Sequence, residues 1–386
     1  MVYNGIDRDA AVSSLTARAT AAPDAAALMD LSMLLQLAGE RETGLELQAQ
    51  ALGVSRIYRC VHGSGAGLRV LALFAAGDFM ANTPFDFLLD GSDATVYYLY
   101  MSPGVALPAA LPDHDVAFLG VAESNTNARL LDELVDVESI WPRPILNCHA
   151  RAIAAMTRDH LWERFQSSDQ VVAPRNARAT RAELMSIASG GRPLEELLSA
   201  ESFPIIVRPL DSHAGSGLAR VEDAADLIGY LHAQVGDTFY IAPFVDYRSA
   251  DGQFRKYRIV FVAGHPYIAH LAIFGEWMVH YLNAGMHESA AKREEEAACM
   301  ARFDHEFGAR HQRALSAIAQ RIGLDYFAID CAESPDGRLL LFEAGTGMIV
   351  HAMDPADMFP YKQVQMRKIF RAFLAMLDTA ADHESA

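Results

Sequence analysis

The stretch 326-YFAIDCAESPDGRLLLFEAGTGMIVH-351 decides how the rest of the chain is read. Two apolar runs, Tyr326 to Cys331 and Leu339 to Phe342, flank Ser334-Pro335-Asp336-Gly337, and Asp-Gly is a strong two-residue hairpin signal. With Asp336-Gly337 as the loop, Pro335 pairs with Arg338 and Asp330 faces Glu343. With Pro335-Asp336 as the loop, the two carboxylates become diagonal. In either register they share one face, with Cβ atoms roughly 5 to 8 Å apart, and like charges so placed repel unless something neutralises them. A divalent cation would do so, and one or two carboxylates plus substrate phosphates are the usual ligands of Mg²⁺. The same residues also describe two exposed carboxylates on a surface hairpin. The apolar neighbours Phe327, Ile329, Leu341 and Phe342 argue against that, because a carboxylate among buried strands needs a partner.

Working outward, 386 residues suggest two or three domains with ample core. The composition, 51% hydrophobic and 21% charged, is that of a globular chain that folds. A net charge of −17 argues against nucleic-acid or anionic-membrane binding, both of which want basic patches, so small-molecule or protein partners are expected. Cys60, Cys148, Cys299 and Cys331 are scattered, without CxxC spacing, so neither a disulfide framework nor a zinc site is expected. A reducing cytosol fits, and neither an export signal nor an apolar run of transmembrane length is seen, so the expected location is cytoplasmic.

Residues 1–60 carry helical spacing, with Leu28, Leu31, Leu34 and Leu35 on one face, and predict two or three helices. LMDLSMLLQLAGERETGLELQAQAL resembles a single tetratricopeptide-like unit. One unit cannot bury its own face, so it is expected to pack on the next domain or on a second subunit, as in a homodimer. Residues 68–145 alternate short strands (LRVLALFA, ATVYYLYM, DVAFLGVA) with helices, the grammar of an open, Rossmann-like α/β sheet. Gly63 to Gly67 precede the first of these strands and so read as a linker, since phosphate loops follow a strand. Polar residues at strand ends, Asn82-Thr83-Pro84 and His114-Asp115 among them, lie where open sheets bind ligands.

The link Trp141-Pro142-Arg143-Pro144 marks the boundary to a third region, 146–380. A helix begins near His149 and takes in Arg158. IIVRPLDSHAGSGLARV (205–221) reads as strand, glycine turn and return strand. Gly215 and Gly217 permit close backbone approach to a phosphate, Ser212 and His213 can donate to it, and Arg208 adds charge; a tight hairpin without ligand is equally compatible. Phe239 to Val245 and Arg255 to Val262 are further strands. In the second, Lys256 and Arg258 share one face and want an anion, or solvent on an edge strand. Glu294 to Glu296 read as a solvated helix face. Trp277, His280, Tyr281, Asn283 and His351 are candidate holders of a substrate carboxylate, although each is common as a structural residue.

The ordered set VRPLDSHAGSGL, RKYRIVF, WMVHY, LFEAGTGM and HAMDP, with MANTPFDFLL, PDHDVAF and RPILN before it, resembles the ATP-grasp superfamily. Within it the chain is similar to a glutathione-synthetase-like group with tetratricopeptide-type helices. The resemblance runs from about residue 25 to about residue 375. It implies a short helical N-terminal region, a Rossmann-like pre-ATP-grasp domain and a two-lobed ATP-grasp domain, α/β and α+β in class. It also implies ATP and Mg²⁺, an acyl phosphate made from a small-molecule carboxylate, and an amide or peptide bond formed by attack of an amine. A catalytically weakened nucleotide-binding scaffold and a phosphotransferase on the same fold are the other functions compatible with it.

By position, the resemblance places Arg158 and Arg208 where the superfamily carries phosphate-binding lysines, and residues 212–217, with Ala214, as the mobile loop over the phosphates. Ala242, Phe244 and Val245 would meet adenine, and Asp246 the ribose. Arg258, with Lys256 beside it, would face the γ-phosphate, and Asp330 and Glu343 would hold Mg²⁺. Gly345 stands where the superfamily usually has a metal-binding asparagine, so water or Thr346 would have to complete the shell.

Overall fold

The computed structural model describes residues 8–21, 24–198, 203–210, 212 and 215–382. They divide into two compact units, one of Met1–Ala154, Leu324–Phe327 and Gly345–Ala386, the other of Ala155–Gly323 and Ala328–Ala344.

The first unit opens with helices α1 (Arg8–Ala21), α2 (Ala25–Leu37) and α3 (Arg41–Val54). Leu31 and Leu34 are buried with Leu15 and Ala27, and Leu35 packs beside them, so the leucine spacing does mark a buried face. Helices α2 and α3 cross closely, since a Cβ at Gly44 would stand 2.9 Å from the Ser32 carbonyl oxygen. Strand β1 (Ile57–Val61) begins inside the stretch expected to be wholly helical. It is only partly buried and pairs on one side only, so its apolar signal is weak. With β2 (Arg69–Ala75), β3 (Thr95–Met101), β4 (Val116–Leu119) and β5 (Ile145–Leu146) it makes a sheet of order β1-β3-β2-β4-β5. All pairs are parallel except β1 with β3. Almost every residue of β2, β3 and β4 is buried, as parallel strands covered on both faces require. Helix α14 (Pro360–Asp382) helps provide that cover through Phe373, whose ring meets Phe85, Phe118 and Tyr326 at 5.3, 5.7 and 5.2 Å.

The glycine run wraps a carboxylate of the protein itself. Ser64 donates its backbone N–H and its hydroxyl to Asp93 Oδ1 at 2.7 and 2.8 Å. Several strand-end polar groups that looked free to bind a ligand are also used by the fold. The Asn82 side chain pairs with both backbone groups of Ala75, and Trp141 Nε1–H donates to the buried His114.

The second unit holds two sheets. A four-stranded antiparallel sheet has the order β7-β10-β8-β9, from β7 (Ala177–Thr180), β8 (Ile205–Pro209), β9 (Ala219–Val221) and β10 (Thr238–Pro243). One face, with Ala179, Ile205, Val207, Val221, Phe239 and Ile241, is buried against α9 (Arg181–Ala188) and α10 (Ala224–Ala233). Both helices are capped by side chains: Thr180 and Glu183 form a reciprocal capping box, and Asp223 accepts from Ala225 and Asp226. A five-stranded sheet has the order β12-β11-β13-β14-β6, from β6 (Val171–Val172), β11 (Phe254–Val262), β12 (His265–Phe274), β13 (Tyr326–Glu333) and β14 (Leu339–Gly345).

The predicted hairpin is present as β13 and β14, but its loop has three residues rather than two. Ser334 N–H bonds Arg338 O at 2.9 Å and Gly337 N–H bonds Ser334 O at 2.8 Å, with Gly337 at φ +81°. A type I turn closed by a left-handed glycine needs the third residue, and neither two-residue register applies. The single helix expected through His149 and Arg158 is two, α7 (Ala150–Ala154) and α8 (Arg158–Phe165), separated by an extended Thr157. Glu296, expected on a solvated face, is fully buried in α11 (Ala290–Arg302) and accepts the Leu271 N–H at 3.1 Å.

Candidate functional site

Strand alternation builds the site from the face of the four-stranded sheet turned away from its helices. Tyr240 lies opposite Arg178 of β7 on one side and Arg208 of β8 on the other, so the three side chains form one row. Two residues along, Ala242 lies opposite Ile206, which lies opposite Arg220 of β9. The face therefore offers a small apolar patch, Ile206 and Ala242, between arginine-bearing rows. Arg158, at the start of α8, brings its guanidinium to 6.0 Å from the Tyr240 ring centroid, and Arg178 lies at 5.4 Å from the same ring. At the other end, Arg220 stacks over Phe244 at 4.1 Å, and the Trp277 ring meets Phe244 edge-on at 6.0 Å.

Lys256 and Arg258 of β11 do share one face, and the anion they meet is Asp330. Lys256 Nζ is 2.9 Å from Asp330 Oδ2, and Arg258 Nε is 2.8 Å from Oδ1. Asp330 is only 1% exposed. Burial alone would raise its pKa, but Arg258 and Lys256 outweigh burial and hold the carboxyl well below the usual carboxylate range. A register shift between Arg258 and Ile259, where β11 pairs with β12, twists the strand next to this cluster. Glu343, about a third exposed, is bonded by Arg158. Burial likewise opposes its ionisation, and Arg158, Lys256 and Arg208 together outweigh it, so its pKa is lowered.

Arg208 is the strained member of the set. Burial, and then the charge of Arg158, push its pKa down to about 10. It bonds Ser212 Oγ at 3.0 Å and the Ser212 carbonyl, while Ser212 Oγ donates to Pro209 O at 2.8 Å. Ser212 is thus tied back onto β8. Gly217 has φ +65°, and a Cβ there would sit 2.7 Å from Pro209 Cδ, so glycine is needed for the turn itself. His213 and Ala214 lie outside the described residues. Among the described residues, Arg158, Arg208, Lys256 and Arg258 share their fields with the carboxylates of Asp330 and Glu343.

The remaining sequence candidates divide. His280 feels Lys256 and Arg258; burial first, then those charges, lower its pKa, so the ring is neutral at pH 7. Trp277 offers its ring to Phe244, and its carbonyl accepts the Tyr247 hydroxyl at 2.7 Å. Asn283 is exposed and accepts the His280 N–H at 2.9 Å. Tyr281 packs against His270 at 4.7 Å and reaches Glu296 at 3.4 Å, a structural setting. Phe244 N–H bonds Pro204 O at 3.2 Å, and Asp246 is paired with Arg248 at 2.5 Å, while Val245 follows β10 in the connection to β11. His351 belongs to the first unit, where it meets the Phe87 ring at 6.0 Å and accepts the Met353 N–H at 3.1 Å. Sequence reading missed Arg178, Tyr240 and Arg220. Period-two alternation along FYIAPFV could have paired Tyr240 with Ala242, but Arg178 sits in a four-residue strand, ARAT, whose small alanines give only a weak apolar signal.

No family model matches the chain, and no curated protein matches it in sequence. Solved structures do. VanG D-Ala:D-Ser ligase from Enterococcus faecalis matches at TM-score 0.50 and 11% identity, over 81% of this chain and 99% of that one. The D-alanine-D-alanine ligase from Coxiella burnetii matches at TM-score 0.50 and 9% identity, over 83% of this chain and 97% of that one. A RimK domain ATP-grasp protein from Sphaerobacter thermophilus is similar at TM-score 0.42 and 16% identity, over 80% of this chain and 99% of that one. No described helix is long and apolar enough to cross a membrane.

Proposed function

We propose that this chain, which has the ATP-grasp fold, is an ATP-dependent carboxylate–amine ligase acting on small amino acids or peptides. The observation that carries the reading is the pair Arg208 and Arg158 at Tyr240, next to the apolar patch of Ile206 and Ala242 on one face of the four-stranded sheet, features that together suit a nucleotide triphosphate. Adenine would lie against Ile206 and Ala242 at the Phe244 end, and the phosphates along Arg208 and Arg158. Binding would draw Arg208 from Ser212 and free the glycine loop to cover them.

The donor set fits Mg²⁺: Asp330 and Glu343 supply hard oxygens in the number that Mg²⁺ takes from protein when phosphates supply others. Bound there, the ion would neutralise phosphate charge, with water in the place that Gly345 leaves open. In the reaction, a carboxylate oxygen of the substrate attacks the γ-phosphorus and ADP leaves. Arg258 and Lys256 sit where charge on the transferring group can be met by fixed cations. The amine then attacks the acyl carbon and inorganic phosphate departs. His280, within reach of the charges of Lys256 and Arg258, would donate to or accept from a substrate.

Incubation with ATP, Mg²⁺ and hydroxylamine over a panel of amino acids and peptides tests this. A hydroxamate formed together with ADP is the expected result and identifies the acid. A stable phosphorylated product that needs no amine would instead make the protein a phosphotransferase, and nucleotide binding without turnover would make it a scaffold. Arg208→Ala is expected to bind ATP ten- to a hundredfold more weakly by calorimetry, since a charge-assisted hydrogen bond contributes about 1.5 to 3 kcal/mol. Affinity equal to the parent's would remove Arg208 from the phosphate cradle.

A further inference from the structure

The first unit brings together three side chains of a kind that bind metal: Cys60, His62 and Asp86. Cys60 lies in β1 and His62 directly follows it, so alternation turns both to one face, and Asp86 comes from the short helix α4 (Phe85–Leu88). Cys60 Sγ is 3.9 Å from His62 Nε2, and that nitrogen is 3.7 Å from Asp86 Oδ1. The second separation is too long for a hydrogen bond. All three ligand atoms nonetheless lie within 4.8 Å of one another.

Tetrahedral Zn²⁺, with sulfur at about 2.3 Å and nitrogen or oxygen at about 2.0 Å, sets sulfur-to-nitrogen edges near 3.5 Å and nitrogen-to-oxygen edges near 3.3 Å. The observed edges exceed these by a few tenths of an ångström, which small side-chain rotations close. One ligand already has outer support, since the Tyr98 hydroxyl donates to Asp86 Oδ1 at 2.6 Å from β3, the strand paired with β1. Asp30 of α2 is a further carboxylate whose charge reaches both Cys60 and Asp86. A thiolate, an imidazole and a carboxylate suit zinc and disfavour Mg²⁺ or Ca²⁺.

We propose that Cys60, His62 and Asp86 bind one Zn²⁺ ion, with water in the fourth position, and that the ion ties edge strand β1 to α4. The sequence pattern hides the site because Asp86 is 24 residues beyond His62 and the cysteine has no CxxC partner. A second trio, Glu138, Cys148 and His149, has two exposed members and serves as the internal control.

The full-length protein, stripped with a chelator, is titrated with Zn²⁺ by calorimetry and with Co²⁺ by absorption. The expected result is one tight equivalent, with a thiolate-to-cobalt charge-transfer band in the unmutated protein. Cys60→Ala should abolish the band, His62→Ala should weaken binding at least tenfold, and Cys148→Ala should change neither. Tyr98→Phe should weaken Zn²⁺ binding about 10- to 100-fold, the usual effect of losing an outer-shell partner. Absence of the charge-transfer band from the unmutated protein overturns the proposal without relying on the folding of any variant. So does binding that survives Cys60→Ala or that disappears in Cys148→Ala.

Discussion

Asp330→Asn is expected to destabilise the protein by about 3 to 5 kcal/mol, the usual consequence of removing one partner from a buried ion pair. Two cations depend on this carboxylate. Lys256 and Arg258 have side chains 14% and 17% exposed, and Asp330 is 1% exposed. An amide in its place leaves both cations facing each other with little water to solvate them. Considered from the sequence, neutralising either carboxylate should relieve repulsion and raise the melting temperature without ligand. The sign reverses because cations, not a second carboxylate, are the first neighbours of Asp330. Glu343→Gln provides the contrast: Glu343 is 31% exposed and bonded to Arg158, so it should lose far less stability while still losing turnover.

The same cluster predicts a pH dependence. The folded Asp330 carboxyl is held below its unfolded value of about 3.9, so its contribution is fully present above that pH and lost as pH falls below it. Urea unfolding of parent and variants without ligand, at pH 7 and near pH 3, measures both effects. The stability gap between parent and Asp330→Asn should narrow at the lower pH. A variant as stable as the parent at pH 7 would show that the triad does not hold the fold together.

What the sequence disclosed and what it hid divide along one physical line. Information carried by local periodicity was legible. The apolar runs of β2, β3, β4, β11, β13 and β14 were visible, as was the shared face of Lys256 and Arg258. Information carried by pairing was not. The anion of Lys256 and Arg258 lies 74 and 72 residues away in sequence, and no alternation within β11 can point to it. The Arg178–Tyr240–Arg208 row exists only because β10 lies between β7 and β8. Turn length was misjudged because Asp-Gly also serves a three-residue loop, in which glycine supplies the left-handed closing residue. Glu296 looked solvated because a run of three glutamates usually is, whereas one turn of helix α11 points it at the Leu271 amide.

Arg258→Ala is expected to lower the rate of hydroxamate formation about 10²- to 10³-fold at saturating ATP, equivalent to roughly 2.7 to 4 kcal/mol of transition-state stabilisation. Arg258 differs in its setting from Arg158 and Arg208, the residues proposed to bind nucleotide alone. Arg158 and Arg208 lie along the sheet face on which the phosphates would rest, so their loss should appear in the affinity for ATP. Arg258 comes from the other sheet and is held at Asp330 through Nε and Nη2, at 2.8 and 3.1 Å, so its position is fixed before substrate arrives. A cation fixed in advance acts on charge that develops during transfer, and its removal should reduce kcat more than it raises KM for ATP. Arg258→Lys should recover part of the rate, because charge is restored while the planar fork that engages Asp330 is not. Lys256 keeps Asp330 paired in both variants, so they should remain more stable than Asp330→Asn. Initial rates over a range of ATP concentrations, with calorimetric ATP affinity on the same samples, separate the two effects. If Arg258→Ala weakens ATP binding as much as Arg208→Ala and leaves kcat within a few-fold of the parent, Arg258 is a nucleotide-binding residue and the transition-state role falls.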